Sequence, residues 1–141
     1  MEARIHMITL INVYYEENRH AILYNLLGER TPEQSISHKG LPGYPEHVDF
    51  VESLPYKIWF FVHSSDEDDY VGTVYLTRQN EIGIFIFNKY QCKGYGRQAV
   101  TAMMESNDGP FLANINPLNT PSAKMFESLG FKHLQNTLRY D

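Results

Sequence analysis

Six residues, Gln91-Cys92-Lys93-Gly94-Tyr95-Gly96, stand between two runs of opposite periodicity. Before them, residues 81–87 are dense in Ile and Phe and read as a strand. After them, residues 97–106 carry Ala99, Val100, Ala102 and Met103 at helical spacing. A strand that enters a helix through two closely spaced glycines lets the backbone approach a ligand with no Cβ in the way. Amide groups at a helix start lack intrahelical partners, and that end carries partial positive charge. The combination suits a phosphate or pyrophosphate without many basic side chains. Lys93 and Arg97 add charge beside it.

Periodicity places the other elements around this turn. Residues 4–11 alternate as a half-buried strand does, and 15–27 change to a helical period that Gly28 stops. Residues 31–45 hold Pro32, Gly40, Pro42, Gly43 and Pro45, which is loop chemistry. A short helix follows around His47, Phe50, Val51 and Leu54, then strands over 56–62 and 71–77 joined by an acidic hairpin loop at 64–69. Beyond the turn and its helix come a strand at 111–115, a helix at 121–129 ended by Gly130, and a strand at 131–138. The order β-α-α-β-β-β-α-β-α-β predicts a mixed sheet with helices on both faces. The 141 residues suit one domain spanning 1–141.

Bulk chemistry narrows the partners. A net charge of -5 weighs against the phosphate-led binding of nucleic acid polymers, which depends on Lys and Arg. No apolar run approaches the ~20 residues of a membrane span, and no signal-peptide pattern opens the chain. Cys92 is the only cysteine, so no intrachain disulfide forms. A cytoplasmic protein is expected, monomeric or homodimeric, with no metal site.

Three readings of the turn compete. It is a tight connection with no ligand; it is a dinucleotide fingerprint; or it is the cofactor loop of another fold. Gly94-Tyr95-Gly96-Arg97-Gln98-Ala99 formally matches Gly-x-Gly-x-x-Ala, but that pattern should open the first βαβ unit, with an acidic residue about 20 positions on. Here it falls in the last third of the chain, and residues 111–123 hold no Asp or Glu. A Walker loop fails because no Gly-Lys-Ser/Thr occurs.

In its place and spacing, Gln91-Cys92-Lys93-Gly94-Tyr95-Gly96 resembles the Gln/Arg-x-x-Gly-x-Gly/Ala signature of the GNAT superfamily of acetyl-CoA-dependent N-acetyltransferases. Asn116-Pro117-Leu118-Asn119, Ser122-Ala123 and Phe126-Glu127-Ser128-Leu129-Gly130-Phe131 are similar to that family's closing strand-helix-strand segment. The resemblance implies the GNAT fold: an α/β architecture (α+β by some schemes) with a central, mixed, mostly antiparallel sheet of six or seven strands and helices on both faces. It implies acetyl-CoA as cosubstrate. Ile84, Ile86, Phe87 and Asn88 would present backbone groups to the pantetheine arm. Gln91, Lys93, Gly94, Tyr95, Gly96 and Arg97 would hold the pyrophosphate. Asn116 and Asn119 would flank the thioester, and Lys124 and Phe126 would reach the cofactor's far end.

The implied chemistry is direct attack of a primary amine on the thioester. An alkyl amine with a pKa near ~10.4 arrives protonated and needs a general base. Glu81, at the start of the cofactor-pairing strand, is the first candidate; His38 and His47 follow, because histidine titrates near neutrality. Many GNAT enzymes carry a tyrosine as thiolate acid where this chain has Phe126, which leaves Tyr95, Tyr90 or water to protonate the thiolate. A covalent route through Cys92 lacks a base and an orienting partner. Tyr44, Tyr56 and Tyr75 are candidate walls of an acceptor pocket, with Trp59 and Phe61 expected in the core. The acceptor expected is a small-molecule amine, such as an amino sugar or nucleotide-linked amine. A protein N-acetyltransferase and a non-catalytic acetyl-CoA-binding module are the alternatives.

Overall fold

Alternation in the chain builds the sheet. In the computed structural model, which describes residues 8–30 and 41–141, four strands pair antiparallel in the order β1-β2-β3-β4. They are β1 (Ile8–Asn12), β2 (Ile58–Ser64), β3 (Asp69–Leu76) and β4 (Ile82–Ile86). Along β2, Trp59 and Phe61 point to one face while Ile58, Phe60 and Val62 point to the other. The register of β2 on β3 shifts between Val62 and His63, so Val62 faces Gly72 and His63 faces Tyr70. Val71 is the extra residue. The shift sends it to the face of Val74 and Leu76, and sends Tyr70 to the face of Phe61.

Four helices cover the two faces. On one side lie α1 (Arg19–Gly28) and α2 (Tyr44–Glu52). Leu23 of α1 and Val51 of α2 pack with Val13, Trp59 and Phe61. A proline in the first turn of α2 removes an N–H that had no partner there anyway. The other side carries α3 (Tyr95–Glu105) and α4 (Thr120–Ser128). Tyr95, Ala99, Val100 and Met103 of α3 form one stripe at helical spacing, buried with Phe126 of α4 against the sheet. Complete burial of a side chain the size of Val100 or Met103 stabilises by about 1.5–3 kcal/mol. Asn119 caps α4, its Oδ1 accepting from Ser122 N–H at 3.3 Å.

The expected helix over 15–27 starts later, because a 3-10 turn at Val13–Tyr15 comes first, fixed by Tyr14 N–H on Asn12 Oδ1 at 2.9 Å. A larger difference lies at the C-terminal end: among the described residues the sheet has four strands, where six or seven were expected. Residues 111–115 give a single parallel bridge, Leu112 to Glu81. Ile82 N–H donates to Leu112 O at 2.7 Å and Leu112 N–H to Asn80 O at 2.9 Å. Past that point the segment leaves β4. Residues 131–138 form no regular element, and Leu134 and Leu138 are exposed. An alternating pattern prepares a segment for a sheet, but the partner's N–H and C=O groups make it a strand, and here those partners are one bridge or none. No helix among the described residues is long and apolar enough to cross a membrane.

Candidate functional site

The turn after β4 is built by backbone conformation. Cys92 and Gly94 are both left-handed, with φ of 63° and 86°, and alternation of this kind curls successive amides into an anion-binding concavity. Gly94 is the N-cap of α3 and gives no side-chain cap. The first bond of that helix runs from Gln98 N–H to Gly94 O at 3.1 Å, which leaves the earlier amides to face outward. A Cβ at Gly96 would meet only Ile86 and Ile84, at ordinary contact distances of 3.7 and 3.8 Å. A side chain at Gly96 would therefore project towards the end of β4, while one at Gly94 would have only Gln98 Nε2 near it, at 3.9 Å. Gln91 ties the turn to the strand end, its Nε2 donating to Ile86 O and Asn88 Oδ1, each at 3.2 Å.

The open edge of β4 adjoins this turn. Phe87 N–H donates to Val71 O, and Thr77 N–H to Glu81 O, so the peptide groups of the odd-numbered residues bond β3. Those of Ile82, Ile84 and Ile86 face the other way. Leu112 takes Ile82, and past it the 111–115 segment makes no backbone bond to Ile84 or Ile86, whose edge is met only by Gln91 Nε2 on Ile86 O among the described residues. The C-terminus of α1 closes one end, where Glu29 Oε1 accepts from Asn88 N–H at 2.7 Å.

On the face of α1 and α2 a cavity of about 440 Å³ reaches Phe85 of β4. Its walls are mostly apolar and aromatic. Tyr56 and Tyr75 stack with ring centroids 3.8 Å apart and planes within 4°. The stack depends on Gly83, where a Cβ would sit 2.0 Å from the Tyr75 ring. Trp59 meets Tyr56 edge-on at 4.8 Å and donates from Nε1 to Thr73 Oγ1 at 2.8 Å. Burial pushes the Tyr56 phenol pKa up. Two cationic-type side chains line the same space. The Arg30 guanidinium carbon lies 4.0 Å from the Phe85 ring centroid, and His47 is buried on α2. Arg30 Nε and His47 Nε2 are buried without a hydrogen-bond partner among the described residues. Burial, then the neighbouring His20, holds the His47 pKa below its ordinary value, so the ring is neutral at pH 7.

The residues singled out from sequence fall in several places. Ile84, Ile86 and Phe87 are half-buried and Asn88 is exposed next to the turn. His47 lines the cavity; His38 lies outside the described residues. Glu81 stands at the opposite end of β4 from Ile86, roughly 17 Å away along the strand, and does not line the cavity. Lys93 pairs with Glu67 at 3.0 Å, Arg97 donates to Ser128 Oγ, and Lys124 is exposed. Asn116 orders the turn before α4, its Oδ1 accepting from Leu118 N–H at 2.9 Å, and Asn119 is the cap already described.

Three aromatic expectations need correction. The Tyr95 side chain is buried, its hydroxyl 3.1 Å from Ser64 Oγ and 3.0 Å from Glu67 Oε1, so it holds α3 to the end of β2 and only its backbone faces the turn. Tyr90 donates to Asp69 Oδ2 at 2.6 Å. Neither phenol is placed to protonate a thiolate. Phe126 is enclosed in the core, edge-on to Phe131 at 5.0 Å, and is not offered to a cofactor. Tyr56 and Tyr75 line the cavity, while Tyr44 packs on Tyr24 at 5.1 Å. Sequence reasoning missed Arg30 and Glu29. Their one available sign was two charged residues directly after the Gly28 stop.

The sequence pattern of the acetyltransferase (GNAT) domain family matches residues 46–132. The chain belongs to the GNAT acetyltransferase family: it is an acyltransferase with acetyl-CoA as cosubstrate. Solved structures share the fold. A domain from Methanocaldococcus jannaschii DSM 2661 superposes with a TM-score of 0.80 at 24% identity, over 94% of this chain and 93% of that one. Spermidine N-acetyltransferase from Vibrio cholerae, in complex with CoA and spermine, gives 0.77 at 18% identity, over 91% and 82%. An N-acetyltransferase from Staphylococcus aureus Mu50 gives 0.66 at 16%, over 94% and 86%. Comparison with curated protein sequences finds no match.

Proposed function

We propose that this chain acetylates the primary amine of a small molecule, which enters the cavity under α1 and α2 and attacks the thioester directly. The observation that carries this reading is the cavity itself: about 440 Å³, walled by aromatic and apolar side chains, and ending on Phe85 of the strand whose free edge lies beside the turn. Such a volume accepts a small ligand and buries most of it.

In this reading, outward amides at the start of α3 and the concavity at Cys92 and Gly94 bind the pyrophosphate. The peptide groups of Ile84 and the N–H of Ile86 pair with the pantetheine arm, while Ile86 O is held by Gln91, and an amide on that edge donates to the tetrahedral oxyanion. Acetyl-CoA supplies the activated acyl group. The chain's own residues position the amine, exclude water and take its proton. His47 suits the last task better than Glu81: it lines the cavity, is neutral at pH 7 and has a ring nitrogen with no partner among the described residues. With the Tyr95 hydroxyl turned to Ser64 and Glu67 and the Tyr90 hydroxyl to Asp69, the leaving thiolate takes its proton from water.

The test is thiol release from acetyl-CoA against a panel of small amines, with mass spectrometry of the products. Release matched by an acetylated amine supports the proposal. If CoA binds and no amine raises release above hydrolysis, the proposal fails.

A further inference from the structure

We propose that the acceptor carries a carboxylate as well as its amine, and that Arg30 is the residue that selects it. This rests on the small-molecule reading above and narrows it to amino-acid-like amines with an apolar body.

Arg30 sits at the place where the cavity meets β4. Its guanidinium lies over the Phe85 ring at 4.0 Å, and its Nε is buried with no hydrogen-bond partner among the described residues. The pairing with Phe85 is a cation–π contact, which satisfies no N–H. A half-buried cation whose enclosed N–H makes no hydrogen bond is costly, and burial already draws the Arg30 pKa down. The guanidinium remains charged, since arginine does not deprotonate in proteins. A ligand anion is what such a group lacks.

The form of the anion follows from the surroundings. One planar fork matches one carboxylate, with two parallel N–H···O bonds available. A phosphate dianion would leave a second charge uncompensated among apolar walls. A polyamine fits less well still. Glu46 is the only acidic side chain among the described lining residues, and it is exposed, whereas Arg30 and a polycation repel one another. The body of the acceptor then lies along the stacked Tyr56 and Tyr75 rings. With the carboxylate held on Arg30 beside Phe85, the amine is brought to the free edge of β4, where the acetyl group is transferred.

The experiment uses matched acceptors: phenylalanine against phenethylamine, leucine against isopentylamine, the corresponding aminophosphonate, and spermidine. For the wild-type chain, kcat/KM with the carboxylate-bearing member should exceed that of its carboxylate-free partner by about 10- to 100-fold, the scale of a charge-assisted hydrogen-bonded pair. Arg30→Met should bring that ratio close to one, chiefly by raising KM for the amino acid, and Arg30→Lys should fall between. Circular dichroism and CoA binding report whether each variant is folded, and the wild-type ratio stands whatever the variants do. A wild-type ratio near one, a preference for spermidine or the aminophosphonate, or an unchanged ratio in folded Arg30→Met overturns the assignment. If carboxylate-free amines are the best acceptors, the small-molecule reading survives and this inference alone falls. If no amine is acetylated, both fall.

Discussion

The two faces of the sheet have different interiors. Beneath α3 and α4, Val62, Val71, Val74, Leu76, Ile82, Tyr90, Tyr95, Ala99, Val100, Met103 and Phe126 interlock as one buried cluster, and the two tyrosine hydroxyls are bonded, Tyr95 with Ser64 and Glu67 and Tyr90 to Asp69. Beneath α1 and α2, a smaller cluster around Val13, Leu23, Val51, Trp59 and Phe61 stops short of filling the space. The cavity lies there, and so do all three buried side-chain atoms without a partner among the described residues: His20 Nδ1, Arg30 Nε and His47 Nε2. Native cores pair their polar groups. On the proposed function, the unpaired ones gathered on one face mark where the fold gives up stability for chemistry, while the opposite face supplies the rigidity that aims the turn and the edge of β4.

Truncation should expose that contrast most strongly. Met103→Ala, in the filled face, should cost about 2–5 kcal/mol in urea unfolding; Leu27→Ala, half-buried at the cavity wall, should cost about 1 kcal/mol. Equal losses would mean that the two interiors are packed alike. Next in size is Gly94→Asp, which places a carboxylate in the anion cradle at a left-handed position and should weaken CoA binding by about 100-fold. Calorimetry showing unchanged affinity in a folded variant would remove the turn from the cofactor site.

A smaller effect concerns pH. The folded-state pKa of His47 lies below its unfolded value of ~6.5. The unfolded chain therefore binds the extra proton first, and the stability gained by burying a neutral ring is present above about pH 6.5 and lost as pH falls from there towards the folded value. Melting temperatures between pH 7.5 and 5 should fall in the wild type and fall less in His47→Leu; parallel curves would mean that the ring is solvated. Smallest of all, Tyr95→Phe should lose about 1 kcal/mol, the worth of a buried hydrogen bond, with kcat unchanged. A drop in kcat of more than about 10-fold would restore that phenol to the chemistry.

Local rules made much of the filled face readable in advance. The α3 stripe and the glycine turn before it each follow from neighbours within one or two turns of chain. The cavity face was harder to foresee, because it is made by residues far apart in sequence. His47 and the Tyr56–Tyr75 pair could be guessed as residue types suited to a pocket, but Arg30 meets Phe85 only after α1 docks on β4, and no spacing in the chain announces that. Tyr95 misled for the opposite reason: its position in the turn suggested contact with a ligand, while its side chain points back into the core. Residues 111–115 and 131–138 show the limit of alternation, which describes a segment's two faces and says nothing about whether an edge is available to receive it.

Trp59 is the only tryptophan in the chain, and it forms part of the cavity wall, against Tyr56 and within reach of whatever lies on the Tyr56–Tyr75 stack. An indole fixed there by its bond to Thr73 is an optical gauge installed by the fold. Its emission should shift when an acceptor displaces water from the cavity and stay nearly constant when CoA alone fills the turn on the other side of β4. Binding of the two substrates can then be followed separately in unlabelled protein, and the order in which they arrive can be timed.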